Sequence, residues 1–322
     1  MASYIGKHTR LTAAFMLLLA VVIVMGNILI EVEGRDLFAG VYGEETMKAR
    51  HQKWMAQHGR AYSGEVEKAQ RFRVFMANAA FVDRANAKGG KYRLAINMFA
   101  DMTNEEFVAM YTGFRPVPTG VKKIPGFKYE NFTLSDDQQT VDWRQKAIEG
   151  IHQISTGNLI SLSEQQVLDC STNGNNNGCN GGFMDNAFQY VINNGGLTTE
   201  DAYPYNAMQS MCQTSVQPAV TISGYQDVPS EDVGALAAAV ANQPVSVGID
   251  AHSFQFYNGG VMTGESCGTS LNHAVTAVGY GTAEDGSPYW LLKNQWGQNW
   301  GEGGYMRLER GTGACGVAKQ AS

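Results

Sequence analysis

The sequence predicts an α+β protein in which helices come first and an antiparallel sheet follows. Residues 44–88 space their apolar side chains as helices do, and helix-start chemistry recurs at Thr103 and Ser163. Residues 245–247, 273–280, 289–293 and 305–308 are instead short runs joined by glycine-containing connections, as strands are. Helices and strands segregated in this way pack as separate layers on different sides of a cleft. A third feature bears on chemistry: all five cysteines lie at or after position 170.

Taken in order, residues 1–34 read as a secretory signal. Lys7, His8 and Arg10 precede an apolar run over residues 11–30, and Glu31 and Glu33 follow it. An uncleaved anchor is the alternative, because the run approaches the shortest length that spans a bilayer. No later segment resembles a membrane span, and export would favour disulfides. From Glu44 to about Lys88, Trp54, Met55, Phe72, Phe75 and Val82 mark a helical pattern that Gly89-Gly90 stops. Residues 92–96 alternate as a strand does, and Thr103 with Glu106 has capping-box spacing. Three prolines and a polar mixture make residues 113–140 an extended linker, whose Asn131-Phe132-Thr133 is the only glycosylation sequon.

Beyond the linker stand Val141-Asp142-Trp143, a short remnant at residues 148–154 and a turn at Thr156-Gly157-Asn158. Ser163 and Gln166 again have capping-box spacing and start a helix toward Cys170. A loop rich in glycine and asparagine covers residues 173–182. A helix with Phe183, Ala187, Phe188 and Val191 on one side follows, and residues 193–196 end it. Asp285-Gly286 marks a hairpin among the later strands.

Length and composition narrow the function classes. The chain has 322 residues, 44% hydrophobic and 17% charged, an ordinary globular mixture large enough for two domains. Its net charge of -6 and the lack of a basic patch with interleaved aromatics argue against nucleic-acid binding. Thirty-seven glycines suit a loop-rich architecture. The six histidines are dispersed and the cysteines do not form C-x₂-C pairs, so no metal or other cofactor is expected.

Several motifs together resemble the papain family of cysteine proteases, preceded by the family's inhibitory prosegment. Glu67, Arg71, Phe75, Asn78, Val82 and Asn86 fall on its interrupted helical motif, and Ala95, Asn97, Phe99 and Asp101 on its second prosegment motif. Asp142-Trp143 looks like the opening of the mature protein, Cys179-Asn180-Gly181-Gly182 like the cleft floor, and His273, Asn294 and Trp296 like the basic half of the site. The resemblance implies a two-domain fold, a helical left domain and an antiparallel β right domain, behind a helical prosegment. It divides the chain into a signal (1–34), a prosegment (44–111), a linker (112–140) and a peptidase domain (141–322). It also implies a plant vacuolar type of protein on the secretory route, bound for the vacuole, the lysosome or the exterior.

The implied roles are specific. His273 is the general base, Asn294 orients it, and Trp296 shields the bond between them. Gly181 and Gly182 pair with a substrate backbone, and Phe183, Met184, Gly248, Leu271 and Ala274 line an apolar subsite. Cys170 pairs with Cys212 and Cys267 with Cys315, leaving Cys179 without an intramolecular partner or bridged to another molecule. The departure from the family lies between Lys146 and Ile148, near residue 147. There the oxyanion glutamine, the nucleophilic cysteine, half of the central helix and a disulfide partner are absent, so the left domain is truncated.

Thiol acyl transfer needs a thiolate within hydrogen-bond reach of an imidazole, and this chain offers none in the expected place. Ser161 and Ser163 suit helix initiation, and Asp142 and Glu149 read as solvated surface groups. The expectation is therefore a papain-like homologue inactive as written. Polypeptide substrates enter only if it is active, and its own prosegment occupies the cleft. Two alternatives stand beside this: an active endopeptidase whose gene model lacks an exon, and a prosegment that inhibits related cysteine proteases.

Overall fold

A computed structural model describes residues 43–116, 126–132, 140–143 and 150–322. The signal segment, most of the linker, Glu149 and the junction between Lys146 and Ile148 lie outside these residues. The chain divides into two compact units, one ending at Ala80 and one running from Phe81 to Ser322.

The first unit is helical. α1 spans Glu44–His58 and α2 begins at Glu65, continuing to Ala87. The sequence pattern reads as one run, but Gly59 adopts φ 60° and donates its N–H to the Met55 carbonyl, a left-handed cap that ends α1. The unit buries Met47, His51, Trp54, Phe75, Ala79 and Ala80. His51 lies among aromatic rings, with Trp54, Tyr62, Phe72 and Phe75 at centroid distances of 4.8–6.0 Å.

The second unit is built on a seven-stranded sheet. Its strands are β1 (Tyr92–Leu94), β2 (Val141–Asp142), β3 (Val245–Ile249), β4 (Tyr257–Met262), β5 (His273–Thr282), β6 (Pro288–Lys293) and β7 (Tyr305–Glu309). They run in the order β1-β4-β7-β6-β5-β2, and β3 also pairs with β5. All pairings are antiparallel except β4 with β7, a departure from the uniformly antiparallel expectation. The predicted strand over 92–96 is shorter at its C-terminal end. The helices are α3 (Asn104–Tyr111), α4 (Gly150–Thr156), α5 (Glu164–Cys170), α6 (Met184–Asn193) and α7 (Val233–Asn242).

Local chemistry explains these elements. Thr103 and Glu106 form a complete capping box at α3: the Glu106 N–H donates to the Thr103 side chain, and the Thr103 N–H donates to Glu106 Oε2 at 2.9 Å. Ser163 caps α5 by accepting the Gln166 N–H at 2.9 Å, but the box is not reciprocal. The Gln166 side chain instead accepts from the Thr198 backbone, because that N–H is buried and needs a partner. Ser161 takes no part in the cap; its carbonyl accepts from Glu200 N–H. Within the second unit, two asparagines hold residues 86–97 against the sheet. Asn86 brackets Leu94 with a donated and an accepted bond at 2.8 and 3.0 Å, and buried Asn97 donates to the Gln255 carbonyl at 2.7 Å.

The core is unevenly distributed. One hydrophobic cluster joins the sheet, α7, Phe99 and Phe107, yet it contains no described residue between 142 and 227. Of the nine exposed large hydrophobic residues among those described, six (Ile154, Leu159, Tyr205, Met208, Met211 and Tyr225) lie in that stretch, with Met211 90% exposed. Disulfides hold it instead: Cys170 is bonded to Cys212, while Cys267–Cys315 ties the sheet unit, and Cys179 is free and exposed.

Candidate active-site cleft

β5 and β6 place the two central side chains. His273 is the first residue of β5 and lies opposite Ile249 of β3, and Asn294 directly follows β6. His273 Nε2 and Asn294 Oδ1 are 2.8 Å apart. Asn294 Oδ1 also accepts the Gln295 N–H at 2.9 Å, which fixes the amide with its oxygen toward the ring. Nε2 must then carry the proton and donate, leaving Nδ1 with a lone pair. That is the tautomer a base needs if a proton is to arrive at Nδ1.

Burial makes the ring reluctant to charge. His273 and Asn294 are both buried, and desolvation pushes the His273 pKa down to about 4, opposed in part by the bond to Asn294. Trp296 stacks on His273 with centroids 4.7 Å apart and planes 25° apart. Its indole N–H donates to the Tyr111 carbonyl at 3.0 Å, and Phe107 and Trp300 meet it edge-on. The aromatic cover thus comes partly from α3.

The first residues of the predicted linker run alongside Gly181 and Gly182. Gly182 N–H donates to the Gly113 carbonyl at 3.0 Å and Arg115 N–H to the Gly182 carbonyl at 2.9 Å, a parallel bridge. Phe114 N–H donates to the Asn272 carbonyl at 3.0 Å. Gly181 has φ 89°, and a Cβ there would collide with the Gly113 carbonyl, so the close approach requires glycine. The Phe114 ring is buried 5.7 Å from that of Phe183. A Cβ on Gly248 would come within 2.7 Å of that ring and 3.3 Å of Leu271. Phe183, Gly248 and Leu271 therefore surround Phe114. Ala274 stands opposite Gly248 in the ladder, and Met184 opens α6 after Phe183.

No sulfur joins this arrangement. Four cysteines are in disulfides, and Cys179 sits exposed in the turn Gly178–Asn180 without a bond to His273. Among the described residues no cluster of three or more His, Cys, Asp or Glu side chains gathers to hold a metal. No described helix is long and apolar enough to cross a membrane. Asp142 is exposed, Glu149 is outside the described residues, and Asn131 lies in an exposed turn.

Sequence motifs marked His273, Asn294, Trp296 and the two glycines but gave no sign of Phe114, Tyr111 or Asn272. Phe114 is an isolated aromatic between Gly113 and Arg115. Nothing local sets it apart, because the same stretch also carries Val117, Val121, Ile124, Phe127 and Phe132.

Residues 144–322 match the family model described as papain family cysteine protease, and residues 51–107 the cathepsin propeptide inhibitor domain. The chain is 47% identical over 307 residues to the senescence-specific cysteine protease SAG39 of Oryza sativa subsp. japonica, covering 87% of this chain and 90% of that protein. It is 45% identical over 315 residues to SAG12 of Arabidopsis thaliana, with the same coverage. Among solved structures, the proform of the ragweed pollen allergen Amb a 11 aligns with a TM-score of 0.80 at 38% identity, covering 87% of this chain and 85% of that one. Recombinant stem bromelain precursor aligns at 0.75 and 38%, covering 86% and 97%.

Proposed function

Because the chain belongs to the papain family of cysteine proteases, with an inhibitory propeptide docked in its cleft, we propose that it is a proteolytically silent member of that family. The base half of the site is organised, and among the described residues no nucleophile bonds to it. One observation carries this: His273 bonds Asn294 alone, while the chain's only free thiol, Cys179, is exposed elsewhere in the fold and makes no bond to it. In the family reaction a thiolate attacks the peptide carbonyl, its proton having passed to the imidazole. Here His273 Nδ1 has the lone pair to receive a proton, Asn294 holds the ring and Trp296 keeps water from the bond between them. No group supplies the proton or forms the acyl bond, so the sequence of steps stops before it begins.

The uneven core supports the same reading. A lost segment that packed against α5 and α6 accounts for a helical half with no hydrophobic cluster and six exposed large apolar residues. The chain's family membership supports a secretory, vacuolar or lysosomal setting. The test is to remove the prosegment with an added protease, treat the protein with an epoxide thiol inhibitor and follow a fluorogenic peptide. We expect no turnover and no inhibitor-sensitive labelling; labelling that abolishes measurable turnover would overturn the proposal. Sequencing full-length transcripts tests the active alternative, since a product carrying the segment is an ordinary endopeptidase.

A second reading is favoured by the completeness of the prosegment's own contacts. Asn86, Asn97, Tyr111 and Phe114 all bond or pack as a finished inhibitor does. On this reading the prosegment also binds related proteases. No inhibition of stem bromelain by the full chain at micromolar concentration would count against it.

A further inference from the structure

Hydrogen bonding leaves one corner of the sheet unexplained. The β5–β6 register sets Tyr280 opposite Trp290, and the β6–β7 register sets Trp290 opposite Leu308. Arg310 follows Leu308 by two residues, so Tyr280, Trp290 and Arg310 share one face. The two rings meet edge-on with centroids 5.8 Å apart, and the Arg310 guanidinium carbon lies 4.6 Å from the Tyr280 centroid and 5.8 Å from that of Trp290. Tyr280 is 1% exposed and Trp290 fully buried, whereas Arg310 is half-buried and opens the corner to solvent.

Three polar atoms here are shut from solvent without a hydrogen-bond partner: the Tyr280 hydroxyl, Trp290 Nε1 and Arg310 Nε. Buried donors left unmatched are destabilising, and native proteins seldom keep three on neighbouring side chains. The indole and the guanidinium can only donate, and the phenol is held protonated because burial pushes its pKa up against the opposing pull of Arg310. Nearby carboxylates are engaged elsewhere. Glu309 accepts the Gly264 N–H at 2.8 Å, and Asp285 the Ser287 N–H at 2.9 Å. The cations tell the same story: after Lys146 the chain has only Lys293, Arg307, Arg310 and Lys319. Arg307 is paired with Glu302 at 2.9 Å and Lys319 with Thr269 at 2.8 Å, but Arg310 has no carboxylate.

We propose that Tyr280, Trp290 and Arg310 form a binding site for a small monovalent anion, a carboxylate or a halide. One fixed positive charge neutralises one negative charge, and two neutral donors supply the remaining hydrogen bonds. A dianion would leave charge uncompensated beside two buried aromatic rings. The chain's net charge of -6 works against diffuse anion attraction, so binding here depends on these three donors.

Thermal unfolding of the full chain at constant ionic strength tests this, with chloride or acetate replacing a large organic sulfonate. The midpoint should rise saturably with the bound anion. Acetate alone acting identifies a carboxylate site, and chloride acting identifies a halide-sized one. Tyr280→Phe should weaken half-saturation at least about fivefold by removing a donor, and Arg310→Gln should abolish saturation by removing the positive charge and its Nε–H. Equal, unsaturated responses in wild type and Arg310→Gln, or no response at all, would overturn the proposal. If Arg310→Gln fails to fold, chloride-35 line broadening by the wild type, relieved by Tyr280→Phe, gives the same decision; absence of broadening together with no acetate response refutes it.

Discussion

Acidification should weaken this fold through His273 in a way that can be measured separately from every other group. Its imidazole is held at a pKa of about 4, against an ordinary value of 6.5, chiefly by burial. The sign follows from proton uptake. Between those two values the unfolded chain binds a proton at this residue and the folded one does not, so stability is intact above pH 6.5 and falls as pH drops toward 4. A gap of that size corresponds to about 3 kcal/mol, and the ring is buried, so solvent screening trims little of it. The perturbation is His273→Phe, which keeps a flat ring against Trp296 and removes the titration. Urea unfolding of both proteins at pH 7.0 and 4.5 is the assay. The wild type should lose about 2–3 kcal/mol more than the variant over that interval. Equal losses, or an imidazole that titrates near pH 6.5 by NMR in the folded protein, would refute the claim that burial governs this ring.

Other groups give further expectations. Phe114→Ala removes a buried ring worth about 2 kcal/mol, so hydrogen exchange at the Arg115 and Gly182 amides should quicken roughly thirtyfold. Thr103→Ala breaks the capping box of α3 and should cost about 1 kcal/mol, read as a lower urea midpoint. Asp185 has its pKa raised to about 6, first by burial and then by Asp227, so its contribution is present below pH 4 and lost as pH rises through 6. Asp185→Asn should therefore stabilise the protein at pH 7, on the order of 1 kcal/mol once solvent screening of this partly exposed group is allowed for. Alkylation of the unreduced native protein should modify one thiol, Cys179, as peptide mass mapping will show.

The parts of the fold legible in the sequence are those fixed by short-range chemistry. Thr103 and Glu106 are three residues apart, and their reciprocal bonds need nothing else. Ser163 and Gln166 have the same spacing, yet Gln166 turns to a buried N–H thirty-two residues away, a demand that local spacing does not encode. Gly59 broke a helix that apolar periodicity carried straight through, because periodicity registers side chains and the break is a backbone conformation. α7 and β4 escaped notice for a related reason. Residues 233–242 are apolar almost all round, as suits a helix buried on the sheet, so no amphipathic stripe marks them. In the site, His273, Asn294 and Trp296 were readable as a motif, whereas Phe114 reached its pocket only through tertiary contacts.

The cleft's two faculties, holding a peptide and cutting it, rest on different parts of the chain. Orientation of His273 is set by the β3–β5 and β5–β6 ladders, by Gly304, which accepts the Asn294 N–H at 2.9 Å, and by the aromatic cover from Phe107 and Tyr111. Each of these contributors lies in residues 81–116 or after residue 244, within the well-packed cluster or beside it. The close approach at Gly181 and Gly182 rests on the positive φ of Gly181 and on the bridge to Phe114. Nothing in that list depends on a segment between Lys146 and Ile148. By the family resemblance, a thiol and its oxyanion donor would come instead from the stretch over residues 142–227, which leaves Ile154 of α4, Leu159 after it and Met211 beyond α6 exposed. On the proposed reading, loss of one segment therefore removes the chemistry and leaves binding geometry intact. The same reading leaves Phe114 docked, on a segment that this chain does not cut for itself.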